Sequence, residues 1–157
     1  MKGTIEKIKV YSTKGEAGRA LSETRLIEGS GLEGDFHATG GERQLSLLLK
    51  ESRDELMVQK EYGSNIRGLC FSRYKENICI RDLAPDALRP GARLEAGEAV
   101  LEISGEAKHC HEECALYRAG KTCPLAKKNL FAKVLKSGVV RVGDNIGSIA
   151  EDIALLR

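Results

Sequence analysis

Apolar side chains recur along this chain in short runs that are bounded by Gly or Asp. In the run TIEKIKVYS (4–12), Ile8 and Val10 fall on one side of an extended chain, because strand side chains alternate between two faces. The run RQLSLLLK (43–50) is almost wholly apolar after Gln44, as is typical of a strand that is buried on both faces. The pattern predicts a strand at each of these two places.

Three later stretches predict more strands and tight turns. Residues 76–83 (ENICIRDL) have the composition of one strand, and 93–103 (RLEAGEAVLEI) predict a hairpin that turns at Ala96 and Gly97. Residues 138–150 predict a strand, a Gly-Asp turn and a second strand.

Helical patterning is sparse. Residues 51–63 combine good helix formers with Gly63 as a stop, and 129–138 begin with Asn129, which suits a helix cap. Many short strands and glycine-rich turns predict a mostly β (α+β) fold, a compact closed or nearly closed β-barrel with two or three short helices. Since no linker or repeat interrupts the pattern, residues 1–157 are expected to form a single domain.

The composition narrows the classes of function. Aromatic residues make up only 4% of the chain and Trp is absent, so stacking platforms for single-stranded nucleic acid are poorly supplied. No apolar run approaches the roughly 20 residues of a membrane span, and the N-terminus has no signal-peptide pattern. We therefore expect a cytoplasmic protein that binds neither nucleic acid nor membrane.

The cysteines divide into two groups. Five is an odd number for a disulfide framework, and a reducing compartment would keep the thiols free. Cys70 and Cys79 have apolar neighbours and are expected to be small buried hydrophobes. The other three lie in KHCHEECALYRAGKTC (108–123), together with two of the three histidines. That segment is the main candidate for chemistry.

The charge around this segment favours reactive thiols. Between residues 106 and 141, eight Lys or Arg stand against three acidic residues, which gives a net charge of +5. Thiols in an electropositive setting have lowered pKa values and act as nucleophiles or soft-metal ligands. If 110–119 is helical, Cys110, Cys114 and Arg118 share one face.

Two other interpretations of the segment stay open. Structural zinc sites use Cys and His, and five such residues occur here, namely His109, Cys110, His111, Cys114 and Cys123. However, the Cys-x3-Cys spacing without a second close pair departs from the usual zinc knuckle. The thiols could also be inert and buried.

Two loops supply further candidates. In SGLEGDFHATGGER (30–43), Asp35 and His37 lie two positions apart, and Arg43 can hold an anion. Taken alone, a loop that contains Asp and His is more often a satisfied turn than a site. Asn77 leads directly into an apolar strand although Asn is a poor strand former, so its amide is a candidate to bond the backbone of a neighbouring loop.

Four blocks occur in the order that is found in the MOSC domain, the module named after the C-terminal part of molybdenum cofactor sulfurase. They are GLEGDFHATGGERQLSLL, KENICI, LRPGARLEAGEAVLEISGEAKHCHEECALY and LFAKVLKSGVVRVGDNI. Over essentially its whole length the chain resembles the small stand-alone bacterial members, whose fold is a compact β-barrel. It departs from them in ATGGE (38–42), where a second His or Trp is often found, and at Cys79, where Thr is usual.

The resemblance implies a molybdenum-cofactor-associated protein in which a cysteine carries persulfide sulfur or ligates the metal of bound molybdopterin, independently of pyridoxal phosphate. Cys110 is the expected sulfur acceptor, and also the molybdenum ligand if the protein ligates the cofactor. Cys114 is the second or resolving thiol, and His111 serves as a base or stabilises a thiolate. The contacts to an anionic pterin-type cofactor are expected from Asp35, His37, Arg43, Asn77, Lys108 and Arg118.

The implied partners are an enzyme that accepts the cofactor or the sulfur and, as sulfur donor, a cysteine desulfurase. The sequence leaves open whether the protein turns over a substrate or only carries sulfur, and which of Cys110 and Cys114 reacts. The alternative from another class is a non-catalytic, zinc-stabilised module that docks to a partner enzyme. The cofactor interpretation predicts that the loops 30–43 and 72–77 and the segment 108–118 converge on one rim of the barrel.

Overall fold

The computed structural model describes residues 2–54, 75–104, 118 and 131–149. The strands are β1 Lys2–Val10, β2 Arg19–Leu21, β3 Glu23–Ile27, β4 Gly31–Leu32, β5 Leu45–Leu49, β6 Ile78–Arg81, β7 Arg93–Ala96, β8 Ala99–Ile103, β9 Phe131–Lys136, β10 Gly138–Arg141 and β11 Asn145–Ser148. The described helical residues are 50–54, 118 and a 3-10 turn at Pro85–Leu88. The fold is mostly β, as predicted, and the rest of the helix predicted for 51–63 lies outside the described residues.

Seven strands form a closed barrel. β11, β7, β8, β9, β5, β6 and β1 are neighbours in that order, and β1 closes the ring by pairing with β11. The first residues of β1, Lys2–Thr4, pair with β11, while its stretch from Thr4 to Ile8 pairs with β6. Closure leaves no bare edge between neighbouring strands of the ring, which is why small β domains favour it. The predicted barrel is therefore confirmed.

Two additions lie against the ring. β2 extends the barrel sheet beyond β1, and β10, β3 and β4 form a separate three-stranded sheet. β10 and β11 are the two strands predicted for 138–150. The glycine-rich stretch of residues 30–43 begins at β4 in the small sheet and ends just before β5, so it links the two sheets.

The barrel encloses a continuous apolar core. All five residues of β5 are buried, as its almost wholly apolar run predicts, and they include one polar residue, Ser46. Leu47 and Leu49 of this strand pack in the core with Ile78 and Ile80 of β6, its parallel neighbour. Burial of one Leu or Ile side chain stabilises a protein by about 1.5–3 kcal/mol. The β5–β6 pair is thus a well-anchored base for the loops that precede both strands.

The β7–β8 hairpin forms as predicted, but its turn lies one residue later, at Gly97 and Glu98. Gly97 has a φ of +54°, and a Cβ at this position would lie 2.5 Å from a carboxylate oxygen of Asp144. A side chain would be strained by the backbone and would also collide with that carboxylate, so the turn requires glycine.

One predicted helix is wrong. The sequence predicts a helix over 129–138, but Phe131–Lys136 form β9. The buried residues of this strand, Ala132 and Val134, alternate with more exposed neighbours, which is the period of two that a strand requires. The helix-like spacing is overridden because β9 completes the barrel between β5 and β8, where its pairing outweighs local propensity.

One rim of the barrel gathers several chain segments. β5 and β6 are parallel and β1 is antiparallel to β6, so the starts of β5 and β6 lie beside the end of β1. The backbone N–H of Asn77 donates to the carbonyl of Ser46, and the N–H of Lys9 donates to the carbonyl of Asn77, both at 2.8 Å. Residues 33–44 lead into β5 at this rim, and residues 75–77 lead into β6.

Candidate functional site

Asn77 joins three parts of this rim through its side-chain amide. Its Oδ1 accepts a hydrogen bond from the N–H of Ser46 in β5 at 3.0 Å, and its Nδ2 donates to the carbonyl of Lys9 in β1 at 3.1 Å. Nδ2 also donates to Oδ1 of Asp35 at 3.1 Å. The residue is only 1% exposed. The sequence predicts that this amide bonds the backbone of a neighbouring loop; it bonds the backbone of the strands β5 and β1 instead, and its contact to the loop of residues 30–43 is to the side chain of Asp35.

Asp35 is buried within that loop and accepts hydrogen bonds through both carboxylate oxygens. Oδ1 accepts from the N–H of Tyr11 at 2.8 Å as well as from Asn77. Oδ2 accepts from the N–H of His37 at 3.1 Å and lies 3.2 Å from Nδ1 of the same residue. Asp35 therefore fastens the loop to the end of β1 and to the start of β6, and its predicted contact to a ligand stays a prediction.

His37 extends from the buried carboxylate toward solvent. Its side chain is 42% exposed, whereas that of Asp35 is 0% exposed. The Phe36 ring packs against the imidazole, with the ring centroids 3.7 Å apart and the planes tilted by 36°. The imidazole is thus restrained by a hydrogen bond and by an aromatic neighbour while part of it faces water.

Gln44 and Arg43 connect the other end of the loop to β9. Gln44 donates from Nε2 to the carbonyl of Gly41 and accepts at Oε1 from the N–H of Val134, both at 3.0 Å. Arg43 is exposed, and its guanidinium carbon lies 4.7 Å from the centroid of the Phe131 ring. A cation over an aromatic face gains about 0.5–1 kcal/mol at an exposed site. The positive charge of Arg43 is therefore held at the first residue of β9.

The segment that carries the predicted thiols connects to the barrel beside these residues. The N–H of Ser104 donates to the carbonyl of Phe131 at 3.0 Å, so residues 105–130 are joined to the barrel at two adjacent positions. Phe131 pairs with Ser46, and Ser46 is bonded on its other side to Asn77. Because neighbouring strands lie about 4.8 Å apart, Phe131 and Asn77 are roughly 10 Å apart across β5.

The predicted site residues therefore fall into two groups. Asp35 contacts both His37 and Asn77 directly, and Arg43 belongs to the same loop as Asp35 and His37. Arg118 is helical and exposed. The remaining predicted residues lie outside the described part of the chain, and they are Lys108, Cys110, His111 and Cys114. The convergence of the 30–43 loop with residue 77 is observed, whereas that of the 108–118 segment stays a prediction.

A buried acidic group beside Asn77 was not predicted as part of the site. Glu76 is 2% exposed, and its Oε2 accepts a hydrogen bond from Nη2 of Arg53 at 2.7 Å. The Lys9 ammonium lies 3.9 Å from Oε1. Glu76 belongs to the block KENICI on which the resemblance rests, but no local pattern marks Arg53 as its partner, because the two are 23 residues apart in sequence.

Tyr11 is a second residue that the sequence does not single out. Its N–H donates to Asp35, and its hydroxyl donates to the backbone carbonyl of Glu76 at 3.2 Å. Burial, reinforced by the charge of Glu76, raises the pKa of Tyr11 to about 12. The phenol therefore stays protonated at neutral pH and acts as a fixed hydrogen-bond donor that links the two loops.

Cys79 has the character that its apolar neighbours predict. It lies in β6 and is 3% exposed. Burial, with a smaller effect from the charge of Glu76, raises the pKa of this thiol to about 11. A thiol that stays protonated is a poor nucleophile, so Cys79 is a buried hydrophobe. Cys70, for which the same is predicted, lies outside the described residues.

The described residues contain neither a metal-binding cluster nor a membrane-spanning helix. Within 2–54, 75–104, 118 and 131–149, no three His, Cys, Asp or Glu side chains are grouped so as to hold a metal ion. The candidate zinc ligands of the 108–123 segment lie outside these ranges. The helices in the same ranges lack the length and apolarity needed to cross a membrane.

A protein-family model and several solved structures are similar to this chain. A family model described as "MOSC domain" matches residues 34–147. The YuaD protein from Bacillus subtilis is similar in structure, with 20% sequence identity, a TM-score of 0.67, and coverage of 93% of this chain and 94% of that chain. YiiM from Escherichia coli has 18% identity and a TM-score of 0.60, with coverage of 96% and 70%.

YiiM from Geobacillus stearothermophilus gives a comparable result, with 16% identity, a TM-score of 0.59, and coverage of 94% of this chain and 75% of that chain. At these identities the structural similarity shows the shared fold. A search of curated protein sequences finds no match.

Proposed function

Because this chain belongs to the MOSC domain family, whose members are associated with the molybdenum cofactor, we propose that it binds an anionic pterin-type form of that cofactor at the rim around Asn77. We further propose that Cys110 or Cys114 carries sulfane sulfur or ligates molybdenum there. The observation that carries this proposal is the meeting of the Asp35 loop, Asn77 and the connections of the 105–130 segment within about two strand spacings.

Arg43 is the described residue best suited to hold an anion. Its guanidinium is exposed and lies over the Phe131 ring, next to the point where the 105–130 segment joins β9. A guanidinium forms planar, often bidentate hydrogen bonds to phosphate. The net charge of +5 across residues 106–141 supplies further cations, among them Lys108 and Arg118.

Asp35 and Asn77 support the site indirectly. Their side-chain atoms hydrogen-bond to the protein itself, and both residues are buried. We therefore assign them the task of fixing the loop between Asp35 and Arg43 on the barrel. His37 differs from both because its imidazole is partly exposed.

The donor set of the chain suits the cofactor. Phosphate and pterin oxygens require cations and N–H donors, which Arg43, Lys108 and Arg118 would provide. A thiolate such as that of Cys110 is a soft ligand of the kind that binds transition metals. The bound cofactor would supply the molybdenum ion, and the protein would supply the thiol, the cations and the enclosing loops.

Binding of the isolated molybdenum cofactor, followed by its pterin fluorescence or by calorimetry, tests the proposal. A hydrogen bond to a charged group contributes about 1.5–3 kcal/mol, so Arg43→Ala should weaken binding by roughly one to two orders of magnitude. Arg43→Lys is the matched control, since it keeps the charge but lacks the planar fork, and its loss should be smaller. Equal affinities of the wild-type and Ala proteins would exclude Arg43 as the anion contact.

Metal analysis distinguishes the rival function. A zinc-stabilised docking module would purify with one equivalent of zinc when no chelator is used, and Cys110 and Cys114 would not titrate with a thiol reagent. The cofactor proposal predicts titratable thiols at one or both positions without stoichiometric zinc. The same preparation serves both measurements.

A further inference from the structure

The imidazole of His37 is oriented more firmly than the fold of its loop requires. The backbone N–H of His37 already donates to Oδ2 of Asp35, so the loop is tied down without the side chain. The ring adds a second contact to the same oxygen through Nδ1 at 3.2 Å, and the Phe36 ring packs on it at a centroid distance of 3.7 Å. An imidazole that is 42% exposed would otherwise be free to rotate.

The hydrogen bonds of Asp35 decide which ring nitrogen of His37 carries the proton. Three N–H groups, from Tyr11, Asn77 and the backbone of His37, donate to the two carboxylate oxygens. A carboxylate that receives these donors acts as an acceptor toward Nδ1 as well, so the geometry favours the neutral tautomer with hydrogen on Nδ1. The other nitrogen, Nε2, then carries a lone pair.

We propose that Asp35 and His37 form a carboxylate–imidazole dyad in which Nε2 of His37 is a general base for the molecule bound at this rim. An N–H or O–H group of that molecule gives its proton to Nε2, and the bonding electron pair stays on the ligand atom. The resulting imidazolium is stabilised by the carboxylate of Asp35, which acts through His37 and is a positioning residue. This inference rests on the proposed function, because it takes the ligand to occupy the same rim.

Nitrogen-15 NMR of the uniformly labelled wild-type protein tests the dyad without any substitution. The neutral ring of His37 should be the tautomer with hydrogen on Nδ1, and the resonance is assigned by its disappearance in His37→Gln. In Asp35→Asn an amide can donate to Nδ1, so the preference should shift toward hydrogen on Nε2. A wild-type ring with hydrogen on Nε2, or an equal mixture of tautomers, overturns the proposal even if the Asn variant does not fold.

Acylation by diethyl pyrocarbonate tests whether the lone pair is accessible and supported by Asp35. Nε2 attacks a carbonyl carbon of the reagent, ethyl carbonate leaves and takes up the Nδ1 proton, and the product is a neutral ethoxycarbonyl imidazole. The acylation rate at His37 is measured by peptide mass spectrometry and should fall about tenfold or more in Asp35→Asn. The reason is that a charge-assisted hydrogen bond to Nδ1 favours the tautomer with a free lone pair on Nε2 by about that factor. His109 and His111 serve as internal controls whose rates should not change.

Protection by the isolated molybdenum cofactor connects the dyad to the ligand. If the cofactor binds and slows acylation of His37, the base faces the ligand as proposed. If the cofactor binds and the rate at His37 is unchanged, the base proposal fails while the proposed function stands. If no cofactor binds, the proposed function fails, and the tautomer and the acylation rate still decide whether the dyad exists.

Discussion

Replacing Asn77 with Ala tests whether one buried amide holds the site together. The change removes three hydrogen bonds, to the N–H of Ser46, the carbonyl of Lys9 and Oδ1 of Asp35. Ser46 is 8% exposed, so loss of the Asn77 oxygen that accepts from its buried N–H costs about 1–3 kcal/mol. Loss of the two hydrogen bonds that Nδ2 donates, to the carbonyl of Lys9 and to Oδ1 of Asp35, adds about 0.5–1.5 kcal/mol each.

Together these terms predict that Asn77→Ala lowers the free energy of unfolding by about 2–6 kcal/mol, a large share of the 5–15 kcal/mol that is usual for a domain. Urea denaturation measures this loss directly. With an m-value of about 2 kcal/mol per molar, a loss near the middle of that range moves the midpoint by about 2 M. Asn145→Ala, the same truncation at an exposed position in β11, is the matched control and should change stability by less than about 0.5 kcal/mol.

A loss at Asn77 within about 1 kcal/mol of the control would refute the reasoning, since it would mean that the amide is not needed to satisfy Ser46. Asn77→Asp provides a second arm. It keeps the shape and an acceptor for Ser46, but it removes both N–H donors and places a second carboxylate beside Asp35. Asn77→Asp should therefore destabilise the protein at neutral pH, although the two side chains have nearly the same shape.

Three further predictions concern the thiols and the hairpin. Cys110 or Cys114 should react with iodoacetamide at neutral pH faster than a model thiol of pKa about 8.5, and equal labelling of all cysteines in the native protein would contradict this. Burial raises the pKa of Cys79 from 9.0 to about 11. The protonated thiol therefore contributes fully to stability below pH 9, and this contribution is lost as the pH rises to 11. The urea midpoint of the wild-type protein should fall between pH 9 and 11, and that of Cys79→Ala should fall less. Identical pH profiles of the two proteins would refute the prediction. Gly97→Ala should cost about 1–3 kcal/mol more than Gly91→Ala, because both have positive φ but only Gly97 has close neighbours, and equal losses would exclude the steric reason.

The strands of the barrel were largely predictable because their patterns are local. β5 is apolar except for Ser46, and the β7–β8 hairpin contains a glycine turn between two alternating strands. The position of β9 was not predictable in this way. Its spacing of Phe131, Val134 and Leu135 suits a helix as well as a strand, and only its pairing with β5 and β8 decides between them.

The candidate site was predictable only in part, because it depends on contacts between distant segments. Asp35 and Asn77 are 42 residues apart, and their hydrogen bond depends on the alignment of β1, β5 and β6. Locally, only Asn77 is unusual, because it precedes an apolar strand, whereas Asp35 alone is typical of a satisfied turn. The resemblance to the MOSC domain is what groups the two residues. Nothing local indicates that Arg53 pairs with Glu76 or that Tyr11 donates to both loops.

Mapping of sulfur after incubation with a cysteine desulfurase and cysteine tests the central claim most directly. The reduced protein should gain the mass of one sulfur atom, and peptide analysis should place it on Cys110 or Cys114. Cys79, buried and protonated, should gain none. An unchanged mass in a preparation that also fails to bind the molybdenum cofactor, or sulfur spread evenly over all five cysteines, would contradict the account.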